Sequence, residues 1–175
     1  LRAFGALLSG AFGDALALES TLLRSVPLLL CGLGAALAFR CGVWNIGGEG
    51  QLLIGAMAAA YIGAQSALPI FSLIPLMLIL GATGGALGAM LPAFLKARFK
   101  VDDVVGTLML NFIILYLMLA LLSGPWKDTT TGWPDSPDIL RAAEFPNFWR
   151  GTRLHLGVLI AGLAAFATWV LVRKT

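Results

Sequence analysis

The stretch Asn45-Ile46-Gly47-Gly48-Glu49-Gly50-Gln51 is a polar, glycine-rich heptad set between two long apolar runs. An ionised side chain at the centre of a bilayer costs roughly 2.5–3.5 kcal/mol, so Glu49 is not expected to face lipid. Gly47, Gly48 and Gly50 weaken a regular helix, each by about 1 kcal/mol relative to alanine, and they admit backbone conformations that other residues resist. Irregular backbone at membrane depth survives only where it is buried in protein or lines a watery cavity. The heptad therefore reads as a broken or glycine-rich segment at 45–51 that faces a pathway or a substrate.

Composition supports this setting. Of 175 residues, 59% are hydrophobic and 12% charged, where a soluble domain carries about 25% charged residues. The charges gather at a few points between apolar runs, the pattern of an integral membrane protein. The net charge of +3 is too small and too dispersed for a nucleic-acid surface, and the basic residues serve better as topology markers.

Outward from the heptad, apolar runs predict an all-α, polytopic transmembrane helical bundle. About five spans are expected, at 22–39, 51–68, 71–95, 104–123 and 154–172, all within one partial transmembrane domain covering 1–175. Residues 1–20 are thinner in apolar content and lack an initiator methionine, a basic start and a small-residue cleavage site. They are expected to be the tail of an earlier helix or a segment lying on the membrane, not a full span.

In the third predicted helix Gly81 and Gly85, and likewise Gly84 and Gly88, recur at spacing four. Small residues at this spacing let helix backbones approach closely in lipid, so they read as packing positions, within the chain rather than between copies.

Lys96, Arg98 and Lys100 follow the third helix, and Arg173 with Lys174 follows the fifth, which places 96–100 and 173–175 in the cytoplasm. The loop 124–153 then lies outside, and its four basic residues balance four acidic ones. That loop holds Trp126, Trp133 and Trp149 with Pro125, Pro134, Pro137 and Pro146. Tryptophan at a membrane boundary acts as an interfacial anchor, and proline stiffens a long connection.

No catalytic or metal constellation is present. Cys31 and Cys41 are ten residues apart, about 15 Å along a helix, too far for a disulfide. His155 has no neighbouring His or Cys to share a metal. Asp102 and Asp103 precede a helix, where an acid accepts from the first backbone N–H groups and suits the helix dipole.

Two blocks carry a family resemblance. The run Ala38-Phe39-Arg40-Cys41-Gly42-Val43-Trp44-Asn45-Ile46-Gly47-Gly48-Glu49-Gly50-Gln51-Leu52-Leu53-Ile54-Gly55-Ala56 resembles the inner-membrane permeases of bacterial ATP-binding-cassette (ABC) importers for nucleosides and simple sugars, related to branched-chain amino acid and ribose permeases. Val101-Asp102-Asp103-Val104-Val105-Gly106-Thr107-Leu108-Met109-Leu110-Asn111-Phe112 is similar to a second signature of that family, with Asp103, Thr107 and Asn111 in register. Small departures are Trp44 for Phe, Asp103 for Glu and Phe112 for Tyr.

The resemblance covers nearly the whole chain, whereas the chain supplies only part of the family's spans. It implies a transport subunit, not an enzyme, which translocates solute into the cytoplasm by alternating access and needs no cofactor of its own. The implied partners are a second permease subunit, a cytoplasmic ABC ATPase that hydrolyses ATP, an external substrate-binding lipoprotein or periplasmic protein, and membrane lipids; nucleic acid is not among them. Asn45, Glu49, Gln51 and Asn111 are the polar residues expected nearest the pathway, able to bond hydroxyls or base edges. Competing readings are a permease for branched-chain amino acids, an ion-coupled carrier with Glu49 as proton site, and a structural subunit in which Glu49 pairs with Arg40 or caps a helix.

Overall fold

The computed structural model describes residues 2–64, 68–128, 132–148 and 151–174. Among these residues six α-helices follow one another: α1 (Arg2–Phe12), α2 (Ala15–Arg40), α3 (Gly48–Gly63), α4 (Ile70–Phe99), α5 (Asp103–Ser123) and α6 (Gly157–Lys174), with one 3-10 turn at Arg141–Ala143. The all-α polytopic bundle read from the sequence is the observed class. Among the described residues, extended pairing is limited to one isolated bridge between Asn147 and His155.

Among the described residues, three helices are long and apolar enough to cross a membrane: Ala15–Arg40, Phe71–Phe99 and Asp103–Ser123. The helix expected to start at residue 22 begins at Ala15, because the Asp14 side chain accepts the Ala17 N–H at 2.6 Å and supplies an N-cap well before the apolar run. The helix expected over 51–68 begins at Gly48 and ends at Gly63; residues 65–67 lie outside those described. The helix expected over 71–95 runs through Phe99, where Lys100 takes the left-handed conformation (φ 58°) and returns its N–H to the Lys96 carbonyl. Residues 154–156, expected to open the last span, precede α6; His155 pairs with Asn147 and accepts the Gly157 N–H on its Nδ1 at 3.1 Å. Trp149 and Arg150 of the tryptophan-rich loop lie outside the described residues.

The chain divides into two compact units, residues 1–37 with 145–175 and residues 38–144. In the first, the Thr21 hydroxyl donates to the Ala11 carbonyl at 2.9 Å, and the buried Glu19 carboxylate on α2 accepts the Arg153 backbone N–H.

The second unit packs α3 against both α4 and α5. A Cβ added to Gly55 would lie 2.6 Å from the Gly81 carbonyl oxygen, so the two backbones touch at a distance no side chain permits. Gly84 faces Ile54 and Ala58, while Gly85 and Gly88 face Gln51. The glycine stripe of α4 thus lies along α3, where small residues let two helices of one chain approach closely. Segment 139–144 folds back on the same end: the Leu140 N–H donates to the Gly63 carbonyl at 2.9 Å, and Trp126 stacks on Tyr61 with ring centroids 5.7 Å apart. Outside these seams large apolar side chains such as Leu28, Phe71, Leu87 and Leu163 stay exposed, as on helices whose solvent is lipid or a further protein surface.

Candidate functional site

The helical backbone stops at Arg40 and resumes at Gly48. The irregular segment is 41–47, so the glycine-rich stretch 45–51 is irregular over 45–47, while Gly48, Glu49, Gly50 and Gln51 form the first turn of α3. Gly42 makes the left-handed turn (φ 74°) that leaves α2, and Gly47, the N-cap of α3, has an ordinary φ of −84°. Glycines 47 and 50 are required for another reason. A Cβ on Gly47 would lie 3.0 Å from the Thr107 Cβ, and one on Gly50 would lie 2.7 Å from the Asn111 Oδ1 and 2.9 Å from the Ile114 Cδ1. They let α5 approach the broken segment.

What α5 delivers there is a polar ladder. Asp103, Thr107 and Asn111 recur every four residues and so share one face of the helix. Asp103 Oδ2 accepts the Trp44 N–H at 3.2 Å, and Thr107 Oγ1 accepts the Ile46 N–H at 3.3 Å. Asn111 uses both ends of its amide, accepting the Gly50 N–H at 2.8 Å and donating to the Ile46 carbonyl at 3.2 Å. Thr107 is only 3% exposed, and its hydroxyl donates back to the Asp103 carbonyl at 2.7 Å. Backbone groups freed by the break need partners wherever water is scarce. The second signature supplies them.

Asn45 and Gln51 lock to each other. The Asn45 Nδ2 donates to Gln51 Oε1 and the Gln51 Nε2 donates to Asn45 Oδ1, both at 3.2 Å, while the same Oδ1 accepts the Gly47 N–H at 2.9 Å. Three of the four residues expected nearest a pathway, Asn45, Gln51 and Asn111, thus spend amide groups on the architecture of the break. Glu49 differs. Its side chain is exposed at the start of α3, where an acid suits the helix dipole, and it forms no ion pair with Arg40.

Of the adjacent acids, Asp102 caps α5 by accepting the Val105 N–H at 3.1 Å. Asp103 meets Lys96 of α4 at 2.5 Å, and Lys96 also reaches the Gly42 carbonyl at 3.4 Å. In the sequence Lys96 reads only as a topology marker, and Glu19 carries no signal of a role. A signal for Lys96 was there, since a base and an acid flank the short connection from α4 to α5. Glu19 gave none, because its partner is a backbone amide far along the chain. Among the described residues no cluster of three or more His, Cys, Asp or Glu side chains fit to hold a metal occurs.

The family described as the permease component of the branched-chain amino acid transport system matches residues 17–175. The guanosine ABC transporter permease protein of Bacillus subtilis is 37% identical over 98% of this chain and 50% of its own length. A glucose ABC transporter permease protein of Haloferax volcanii is 34% identical over 99% of the chain and 48% of its own. A nucleoside ABC transporter permease protein of Lactococcus lactis is 29% identical over 97% and 49%. The chain spans about half the length of these curated relatives. No solved structure matches it. With the broken segment and its polar ladder lying inside the matched region, the chain belongs to the family of branched-chain amino acid transport system permease components.

Proposed function

We propose that this chain forms part of the translocation pathway of an ABC importer that carries nucleosides or simple sugars into the cytoplasm. The observation that carries the reading is the similarity, over nearly all of the chain, to permeases named for guanosine and for glucose. The two solutes share ring hydroxyls, which polar groups beside a helix break are suited to bind. In this reading α2 to α6 cross the bilayer, with 96–100 and 173–175 in the cytoplasm and 124–153 outside. The break is the solute-facing part. Glu49 lines the path, and the ladder on α5 keeps the break in shape while two states of the permease alternate. ATP is hydrolysed by cytoplasmic partner subunits, a second permease subunit completes the path, and an external binding protein delivers the solute.

The test is uptake by the assembled complex in proteoliposomes. Labelled guanosine or glucose accumulating only with ATP inside the ATPase-facing compartment supports the reading. Uptake that persists without ATP and collapses with an ionophore would establish an ion-coupled carrier instead. Because the matched family is described for branched-chain amino acids, the same assay includes excess leucine, and competition by leucine would reassign the substrate.

A further inference from the structure

We infer that Lys96 is a positioning residue of the pathway: its ammonium group ties the end of α4 to the break and holds Asp103 where it can bind the break's backbone. The inference rests on the reading of the break as the solute-facing part.

One carboxylate oxygen joins three segments. Asp103 Oδ2, on the first residue of α5, accepts the Lys96 Nζ of α4 at 2.5 Å and the Trp44 N–H of the break at 3.2 Å. Lys96 adds a second link to the break through the Gly42 carbonyl at 3.4 Å. Among the described residues, the other side-chain hydrogen bonds on the break come from α5 or from the break's own neighbours, and Lys96 supplies those that reach it from α4.

The two partners are unequally solvated. The Asp103 side chain is 11% exposed and that of Lys96 42%. The group in need of a counter-charge is therefore the acid, and without Lys96 it would keep one amide donor in place of a cation and an amide. A carboxylate so placed would draw in water or turn outward, and the Trp44 N–H would lose its acceptor.

Packing does not make the tie redundant. A cavity of about 530 Å³ lies against the same arm of α4, lined by Ala93, Ala97 and Lys100 together with Val43 of the break. Pro92, one turn before Lys96, has no N–H to continue the α4 hydrogen-bond ladder. With open space beside this arm, the ionic contact is the tie we assign to its junction with the break. Arg98 and Lys100 keep the local positive charge when Lys96 is replaced, so topology and positioning are separable.

The experiment uses the assembled membrane complex carrying Lys96→Met, Asp103→Asn, or both. Two quantities are read: uptake per assembled complex, and the rate at which a thiol reagent labels Trp44→Cys in a background with Cys31 and Cys41 changed to serine. Lys96→Met is expected to lower uptake and raise labelling by about fivefold each, between the effects of exposed and buried pairs. Adding Asp103→Asn is expected to bring both back to within about twofold of the parent, because the amide still accepts the Trp44 N–H and leaves no uncompensated charge. Labelling unchanged by Lys96→Met, or a double variant no better than the single one, overturns the inference. A parent complex without uptake, whose labelling still follows the expected pattern, overturns the transport reading and leaves the tie standing. Should the single variant fail to assemble, labelling in isolated membranes decides alone.

Discussion

Asn111 on α5 caps Gly50 on α3: its Oδ1 accepts the Gly50 N–H at 2.8 Å, and the absence of a side chain on Gly50 is what lets the amide come so close. A helix start leaves its first N–H groups without intrahelical partners, and the residue before α3, Gly47, has no side chain to take them. The cap comes from another helix, 61 positions along the chain.

Asn111→Leu removes the acceptor for Gly50 and the donor to the Ile46 carbonyl in one step. An unsatisfied buried backbone group costs about 1–3 kcal/mol, so the variant is expected to be destabilised by about 2 kcal/mol and to lose most uptake. Phe112→Leu, on the exposed side of the same helix, is expected to change neither. Thermal unfolding of the detergent-solubilised protein, run beside uptake, separates the two outcomes; equal melting of the variants would show that the cap carries no stability.

The glycines of the heptad are expected to part company on substitution. A Cβ at Gly48 meets nothing within 4 Å, so Gly48→Ala is expected to be neutral or to stabilise by up to about 1 kcal/mol. At Gly50 the same Cβ collides with Asn111 and Ile114, and overpacking of this kind costs about 1–3 kcal/mol. Melting temperatures of the two variants check this, and the idea fails if Gly48→Ala is the more damaging.

Glu49→Gln keeps size and hydrogen-bonding capacity while it removes the charge. Since Glu49 is exposed and has no ion pair with Arg40, assembly is expected to stay intact while uptake falls at least severalfold, about 1 kcal/mol or more of lost stabilisation. Uptake is normalised to folded complex and compared with ATPase activity stimulated by the binding protein. Parental uptake would make the charge dispensable, and lost assembly would make Glu49 a structural residue.

For orientation, a cysteine at Asp135 is expected to react with a membrane-impermeant thiol reagent in whole cells, and one at Arg98 only after the membrane is opened. The reverse pattern would invert the proposed topology.

Much of the architecture was open to reading in one dimension. The helical class follows from long apolar runs, because a chain in hydrocarbon must satisfy its backbone internally, and that requirement acts residue by residue. The two blocks around Glu49 and Asn111 were enough to place the family. Helix ends were less legible. Asp14 starts α2 earlier than hydropathy indicates, and Gly48 and Gly50, which depress helix propensity, are helical because Asn111 and the close approach of α5 stabilise them there.

The sequence by itself therefore determined that this is a membrane helix bundle with a polar break, since hydropathy and glycine content are local sums. Only the tertiary structure decided what the polar residues do. Asp103, Thr107 and Asn111 were visible as a stripe on one helix face, but their partners, Trp44, Ile46 and Gly50, stand about 60 positions away, and no local pattern encodes which backbone groups remain unpaired once two helices meet. The pairing of Glu19 with the Arg153 amide arose in the same way. A hydrogen bond is directional and short, so its existence depends on how helices pack, which the chain settles only when it folds.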